Sequence, residues 1–118
     1  MGMALKRDVI DACRQAGTQK PIDLVFLSTL TMGDRDLEAD ILKMFASQLD
    51  VYHKMIQDCE THQDIERVAH SIKGVARSVG ALRLAEMAKS AEQMHEFDHD
   101  AIKQEMREIS DYIASISQ

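Results

Sequence analysis

Proline is nearly absent from this chain. It occurs once in 118 residues, at Pro21, and glycine occurs only five times. Long stretches are therefore free of the residues that interrupt helices. Tryptophan is missing and aromatics make up 4% of residues, so Leu, Ile, Val, Ala and the eight Met must fill any core. Met suits the irregular gaps between helices. Two cysteines, Cys13 and Cys59, are too few for a disulfide framework, and a reducing cytoplasm is the expected location. No apolar run approaches the roughly 20 residues that cross a bilayer. The opening Met1-Gly-Met-Ala-Leu-Lys-Arg-Asp lacks the apolar stretch of a secretory signal. Basic residues are the minority: 14 Lys and Arg against 20 Asp and Glu give a formal charge of −6. That balance argues against nucleic acid or an anionic membrane as partner.

What is present is helical periodicity. Leu5, Val9, Ala12, Cys13 and Ala16 share one helical face, with Gly17 as a stop. Pro21 fits a helix start, and Ile22 to Leu30 read as a short apolar helix. Asp34 can cap the next helix. That helix carries Leu37, Ile41, Met44, Phe45, Gln48, Leu49, Tyr52, Met55 and Ile56 as one stripe over about six turns. Thr61-His-Gln-Asp64 resembles a capping box with Asp in place of Glu, and the helix it opens ends near Gly80. Leu84, Met87, Ala88, Ala91 and Met94 form another stripe, and Phe97 to Asp100 mark a turn. Ile102, Met106, Ile109 and Ile113 carry the last. Four long amphipathic helices with short loops predict an all-α, antiparallel up-down four-helix bundle with additional short N-terminal helices. The expected division is an N-terminal helical extension over 1–20 and the bundle over 21–118, one domain in all.

The most informative stretch is Ala69-His70-Ser71-Ile72-Lys73-Gly74. At about 100° per residue, His70, Lys73, Gly74 and Arg77 fall on one side of a helix. Ile65, Val68, Ile72, Val75 and Val79 fall on the other. A histidine is thus presented outward beside two cations and a position with no side chain. A neutral imidazole nitrogen is a good nucleophile near neutral pH. Lys73 can screen phosphate oxygens in a transition state. Gly74 costs a helix interior about 1 kcal/mol relative to Ala, a cost with a ready reason if another backbone must approach closely. From His70 to Lys89 the chain carries Lys73, Arg77, Arg83 and Lys89 against Glu86 alone, which predicts a locally basic surface suited to an anionic group.

Geometry supplies a further residue. If the next helix runs antiparallel about a turn centred on Ala81, facing residue numbers sum to about 162. His70 then faces Glu92, and Lys73 faces Lys89. Glu92 could accept from the Nδ1–H of His70, fix the tautomer and leave Nε2 as the nucleophile. The ordinary reading of a lone exposed histidine is a solvated side chain. The outward phase, Gly74 and the facing carboxylate weigh against it.

These residues resemble the histidine phosphotransfer (HPt) family of multistep phosphorelays. The family string is roughly Ala-His-x-Leu-Lys-Gly, then Gly six residues on, then a helix ending near Glu. Here it reads Ala69 to Gly74, Gly80, and Leu84 through Glu92, with Ile72 in place of Leu. Gly33-Asp34-x-x-Leu37 and Phe45 also resemble the family's first long helix. The resemblance covers about residues 22 to 116. It implies that His70 is the phosphoacceptor, that Lys73 assists the phosphate and that Glu92 orients the imidazole. Gly74, Arg77 and Lys89 would serve docking. The implied chemistry is reversible transfer between His70 and an aspartate on a receiver domain, of a response regulator or a hybrid histidine kinase. No cofactor is expected on this chain, since magnesium would come with the receiver. The implied state is a cytoplasmic monomer with no metal of its own.

His95-Glu-Phe-Asp-His99 matches the His-Glu-x-x-His zinc pattern. It spans a predicted helix end, whereas zinc chemistry needs both histidines one turn apart on one helix and a third ligand. Chance is the better explanation. Histidines 53, 62, 95 and 99 are expected on the surface. No Gly-rich nucleotide loop is present, which argues against an autonomous kinase. The competing class is a helical adaptor bundle in which His70 carries no phosphoryl group.

Overall fold

Several helix ends in this chain are set by short polar side chains or by glycine. A computed structural model describes residues 20–116, and the expected helix over residues 4–16 lies outside them. Five helices follow: α1 (Leu24–Thr31), α2 (Arg35–Gln57), α3 (His62–Val79), α4 (Leu82–Met94) and α5 (His99–Ile116). Among the described residues there is no strand. The fold is an all-helical bundle.

The caps explain the boundaries. Asp23 accepts from the Phe26 N–H at 3.1 Å and Asp34 from the Leu37 N–H at 3.1 Å, each satisfying an orphan donor of a first turn. Thr61 and Asp64 form a reciprocal capping box, so Asp serves where Glu is usual. Helix α1 starts two residues later than the expected Ile22. Asp23 is its N-cap, and Pro21 and Ile22 precede it. Ile22 is instead a buried anchor.

The α3–α4 connection positions the site. Only Gly80 and Ala81 separate the two helices. Gly80 takes a left-handed conformation, φ 83°, and caps α3 through Ala76 and Arg77 carbonyls. Its own carbonyl accepts from the Asp23 N–H at 2.9 Å. A Cβ there would sit 3.0 Å from the Asp23 carbonyl oxygen. Glycine is thus required twice, by backbone sign and by the approach of the chain entering α1. So tight a turn folds α4 back along α3 over their whole length, the most extensive helix pairing in the molecule. Helix α2 packs on α3 and α5, and α4 packs on α5, so the four long helices close a ring; α1 lies on α2.

The core is aliphatic and small-residue rich, as composition requires. Leu42, Phe45, Leu49, Tyr52 and Ile56 of α2 meet Val68, Ile72 and Val79 of α3 and Leu84 of α4, and Ile102, Ile109 and Ile113 of α5. Ala69, Ala76, Ala85 and Ala88 are fully or nearly fully buried, which lets α3 and α4 approach closely. The α2 stripe corrects the expectation. Phe45, Leu49, Tyr52 and Ile56 are in the core, but Leu37, Met44 and Met55 are exposed and Leu42 takes the inward place. Met94 is likewise exposed, and Ala85 replaces it in the α4 core face. Among the described residues no helix is long and apolar enough to cross a membrane.

Candidate functional site

His70 lies in the middle of α3, one face away from Val68, Ala69 and Ile72, which are buried in the core. That phase leaves its side chain 72% exposed. The helix around it is rigid because its other face is packed, so the imidazole is held outward on a fixed support.

Across the hairpin, Glu92 reaches back from α4. Its Oε2 lies 2.7 Å from His70 Nδ1, the pairing expected from an antiparallel return about Ala81. A carboxylate only accepts, so in the neutral imidazole the proton sits on Nδ1 and Nε2 keeps its lone pair. The other oxygen, Oε1, accepts from Lys73 Nζ at 2.6 Å. Glu92 therefore bridges the imidazole and the ammonium, with its side chain 20% exposed and that of Lys73 16%. The Lys73 hydrogen bond first, and the His70 hydrogen bond second, hold the Glu92 carboxyl below its ordinary value.

Lys73 also engages Glu92, a side-chain pairing that a count of facing positions does not give. Helical side chains lean toward their own N-terminus. On α3 that tilt carries Lys73 toward the level of His70, and the residue facing that level is Glu92. The ammonium is held beside the imidazole, and two of its three donors remain for an incoming anion.

The expected basic surface is smaller than a count of cations implies. Arg83 faces α5, where its Nε lies 3.2 Å from Glu105 Oε2 and a terminal nitrogen 3.4 Å from Glu108 Oε2. Lys73 is neutralised by Glu92. Arg77 is exposed and Lys89 half-buried, and neither is in an ion pair among the described residues. Those two cations flank the His70 face. Gly74 is exposed one turn beyond His70, and a Cβ there would meet nothing within 4 Å. Packing inside the protein does not require glycine at this place. Gly74→Ala should accordingly raise stability by about 1 kcal/mol, measured by urea unfolding.

His95-Glu-Phe-Asp-His99 spans a helix end. His95 is the left-handed C-cap of α4, φ 55°, Phe97 is buried, and Asp98 accepts from the Ala101 N–H at 3.1 Å to start α5. The two histidines are not on one helix. His95 instead stacks on His62, ring centroids 5.3 Å apart, and lies 3.4 Å from Glu66. That pairing joins the open end of the α3–α4 hairpin, and nothing in the local sequence signals it. Among the described residues no three His, Cys, Asp or Glu side chains assemble a metal-binding group.

A family model described as "Hpt domain" matches residues 25–118. The chain belongs to the Hpt domain family. The match takes in all of α2 to α5 and His70 with its neighbours. No curated protein and no solved structure matches this Hpt domain. The family is one of histidine phosphotransfer in phosphorelays; its members are phosphocarriers without kinase activity and interact with receiver domains.

The lowered Glu92 value has a consequence for acid stability. A carboxyl depressed in the folded state favours folding at pH above its unfolded value, and the contribution is lost as pH falls through the folded one. Glu92→Gln should therefore be less stable than the parent at neutral pH. The difference should close below the ordinary carboxylate range. Thermal melts across pH check this.

Proposed function

We propose that His70 accepts a phosphoryl group from the aspartyl phosphate of a receiver domain and returns it to another. The observation that carries this reading is the 2.7 Å contact of His70 Nδ1 with Glu92, on a histidine held outward by a packed helix. With the proton fixed on Nδ1, the Nε2 lone pair attacks phosphorus. The N–P bond forms as the P–O bond to aspartate breaks, and the aspartate leaves as a carboxylate. The imidazole gains positive charge, which Glu92 stabilises through the shared proton. Lys73 neutralises charge on the phosphoryl oxygens. In the reverse step, a receiver aspartate attacks phosphorus, the N–P bond breaks and the neutral imidazole is restored. Magnesium belongs to the receiver, and this chain brings no cofactor or metal of its own.

Gly74 supports docking by leaving a gap beside the acceptor, where a partner backbone can come close. Arg77 and Lys89 offer charge to the acidic side chains of a receiver. Gly74→Gln fills the gap and should slow transfer while leaving the fold intact. The relay unit is residues 21–118, with residues 1–20 as an extension. It works as a monomer in the cytoplasm, with receivers of response regulators or of a hybrid kinase as partners.

The test is phosphoryl transfer with purified components. With ATP and magnesium alone the protein should stay unlabelled. A phosphorylated receiver should label it within minutes at a histidine, acid-labile and base-stable, and excess unphosphorylated receiver should drain the label. Labelling from ATP without a kinase would overturn the reading. So would a failure of every receiver of the source organism to exchange with it.

A further inference from the structure

Helix α2 carries a second apolar stripe outside the core. Leu37, Met44, Val51 and Met55 are exposed, Met44 to 70%. Ile41, partly buried against the core, and Gln48, exposed, complete the row. The six positions recur at alternating intervals of four and three residues, the spacing of a coiled-coil seam. On the wheel they fall within an arc of about 80°, and from Leu37 to Met55 the seam is about 27 Å long at 1.5 Å per residue. Packing within the bundle uses another face of α2, through Leu42, Phe45, Leu49, Tyr52 and Ile56. Among the described residues that leaves most of the seam uncovered. Contiguous apolar surface of this kind marks an interaction site rather than ordinary scatter.

We infer that a second copy of this chain occupies the seam, with the two α2 helices antiparallel about a two-fold axis at the level of Ala46. The seam is its own complement. Facing residue numbers then sum to about 92. Leu37 meets Met55, Ile41 meets Val51, and Met44 meets the stem of Gln48. Charge selects the same pairing. Asp40 and Lys54 lie on one flank of the seam, both exposed, and neither is in an ion pair among the described residues. Antiparallel pairing sets Asp40 of each copy against Lys54 of the other, twice over. Exposed pairs of this kind fix register more than they add affinity. A patch that pairs with its own copy closes at two chains. The seam is one helix wide, a footprint of roughly 300 Å², against about 800 Å² per partner in stable complexes. Pairing is therefore weak and reversible, and the single chain persists at low concentration as the relay unit. This inference stands apart from the phosphotransfer reading, because it concerns the surface of α2 and not the acceptor.

The test is sedimentation equilibrium of the full chain from about 10 µM to 1 mM. The mass should rise from one chain to two, with a midpoint on the order of 0.1 mM, as expected of a contact below the standard interface size. Met44→Asp, at a solvent-exposed site on α2, should hold the protein at one chain throughout while its circular dichroism is retained. Charge reversal reads the register. Asp40→Lys and Lys54→Asp should each raise the midpoint by about threefold or more. An equimolar mixture of the two variants should pair more tightly than either alone, because each copy then offers the other opposite charges at both ends of the seam. A single-chain mass at every concentration would overturn the inference. Pairing that survives Met44→Asp, or that ignores both charge reversals, would overturn it as well. Methyl signals of Met44 and Val51 that ignore concentration and shift only when a receiver is added would assign the seam to the receiver, and overturn it equally.

Discussion

His70→Gln should leave the protein folded and unable to carry a phosphoryl group. The amide of glutamine has no nucleophilic lone pair, because its nitrogen is conjugated with the carbonyl. Label taken from a phosphorylated receiver should fall by about 100-fold or more, to background. The fold has little reason to notice. The side chain is 72% exposed, and substitutions at such positions usually stay within about 0.5 kcal/mol. A glutamine amide can also donate to Glu92 as the imidazole does, and Glu92 keeps its bond to Lys73. Circular dichroism and the melting temperature should therefore match the parent within about 2–4 °C. Label persisting on His70→Gln would move the acceptor to another residue and end the proposed role of the Glu92 bridge. Unfolding of the variant would instead show that the histidine supports packing.

Local features were read well from sequence wherever one residue type has one physical use. Asp34, Thr61 and Gly80 mark helix ends by hydrogen-bonding capacity or by backbone sign, and all three do so in the fold. The facing of His70 and Glu92 was legible for a similar reason. A two-residue turn leaves almost no freedom in register, so one number, the centre of the turn, predicts the pair. The Lys73–Glu92 ion pair was not legible, because a count of facing positions leaves out the tilt of helical side chains. In α2 the pattern was ambiguous. Leu37, Met44 and Met55 are as apolar as Leu42, and Ile41 and Phe45 fall between the two arcs on the wheel. Only tertiary packing chooses between them. Pro21 misled because a proline that suits a first helical turn also suits the residues just ahead of an Asp cap. Arg83 was assigned by its neighbours in sequence, but its partners lie 22 and 25 residues on, across the α4–α5 pairing. The four residues between those helices do not set a register that a spacing argument can use.

Arg83→Met should lower the stability of the fold. Its guanidinium lies 3.2 Å from Glu105, whose side chain is only 4% exposed, and 3.4 Å from Glu108, which is well exposed. A carboxylate so far from water is stabilised by a cation against it. Arg83→Met keeps the aliphatic stem against α5 and removes the guanidinium from Glu105 and Glu108, while Glu105 keeps its other contacts. Breaking a buried pair from one side costs about 3–5 kcal/mol, discounted to about 3 here because Arg83 itself is 24% exposed. For a domain of this size that lowers the melting temperature by roughly 10–20 °C. Replacing both partners, Arg83→Met with Glu105→Leu, should recover most of the loss, because two apolar groups of similar volume need no compensation. The coupling between the two substitutions is the quantity to read, from a double-mutant cycle in urea. Chemistry should be spared. His70 and Glu92 belong to the α3–α4 hairpin, whose own packing is the most extensive in the molecule. Well below its transition, Arg83→Met should take up phosphoryl groups at the parent rate. A variant as stable as the parent would show that Glu105 is satisfied without Arg83. A transfer rate that falls while the protein is still folded would instead show that the α4–α5 ion pair positions Glu92 against His70.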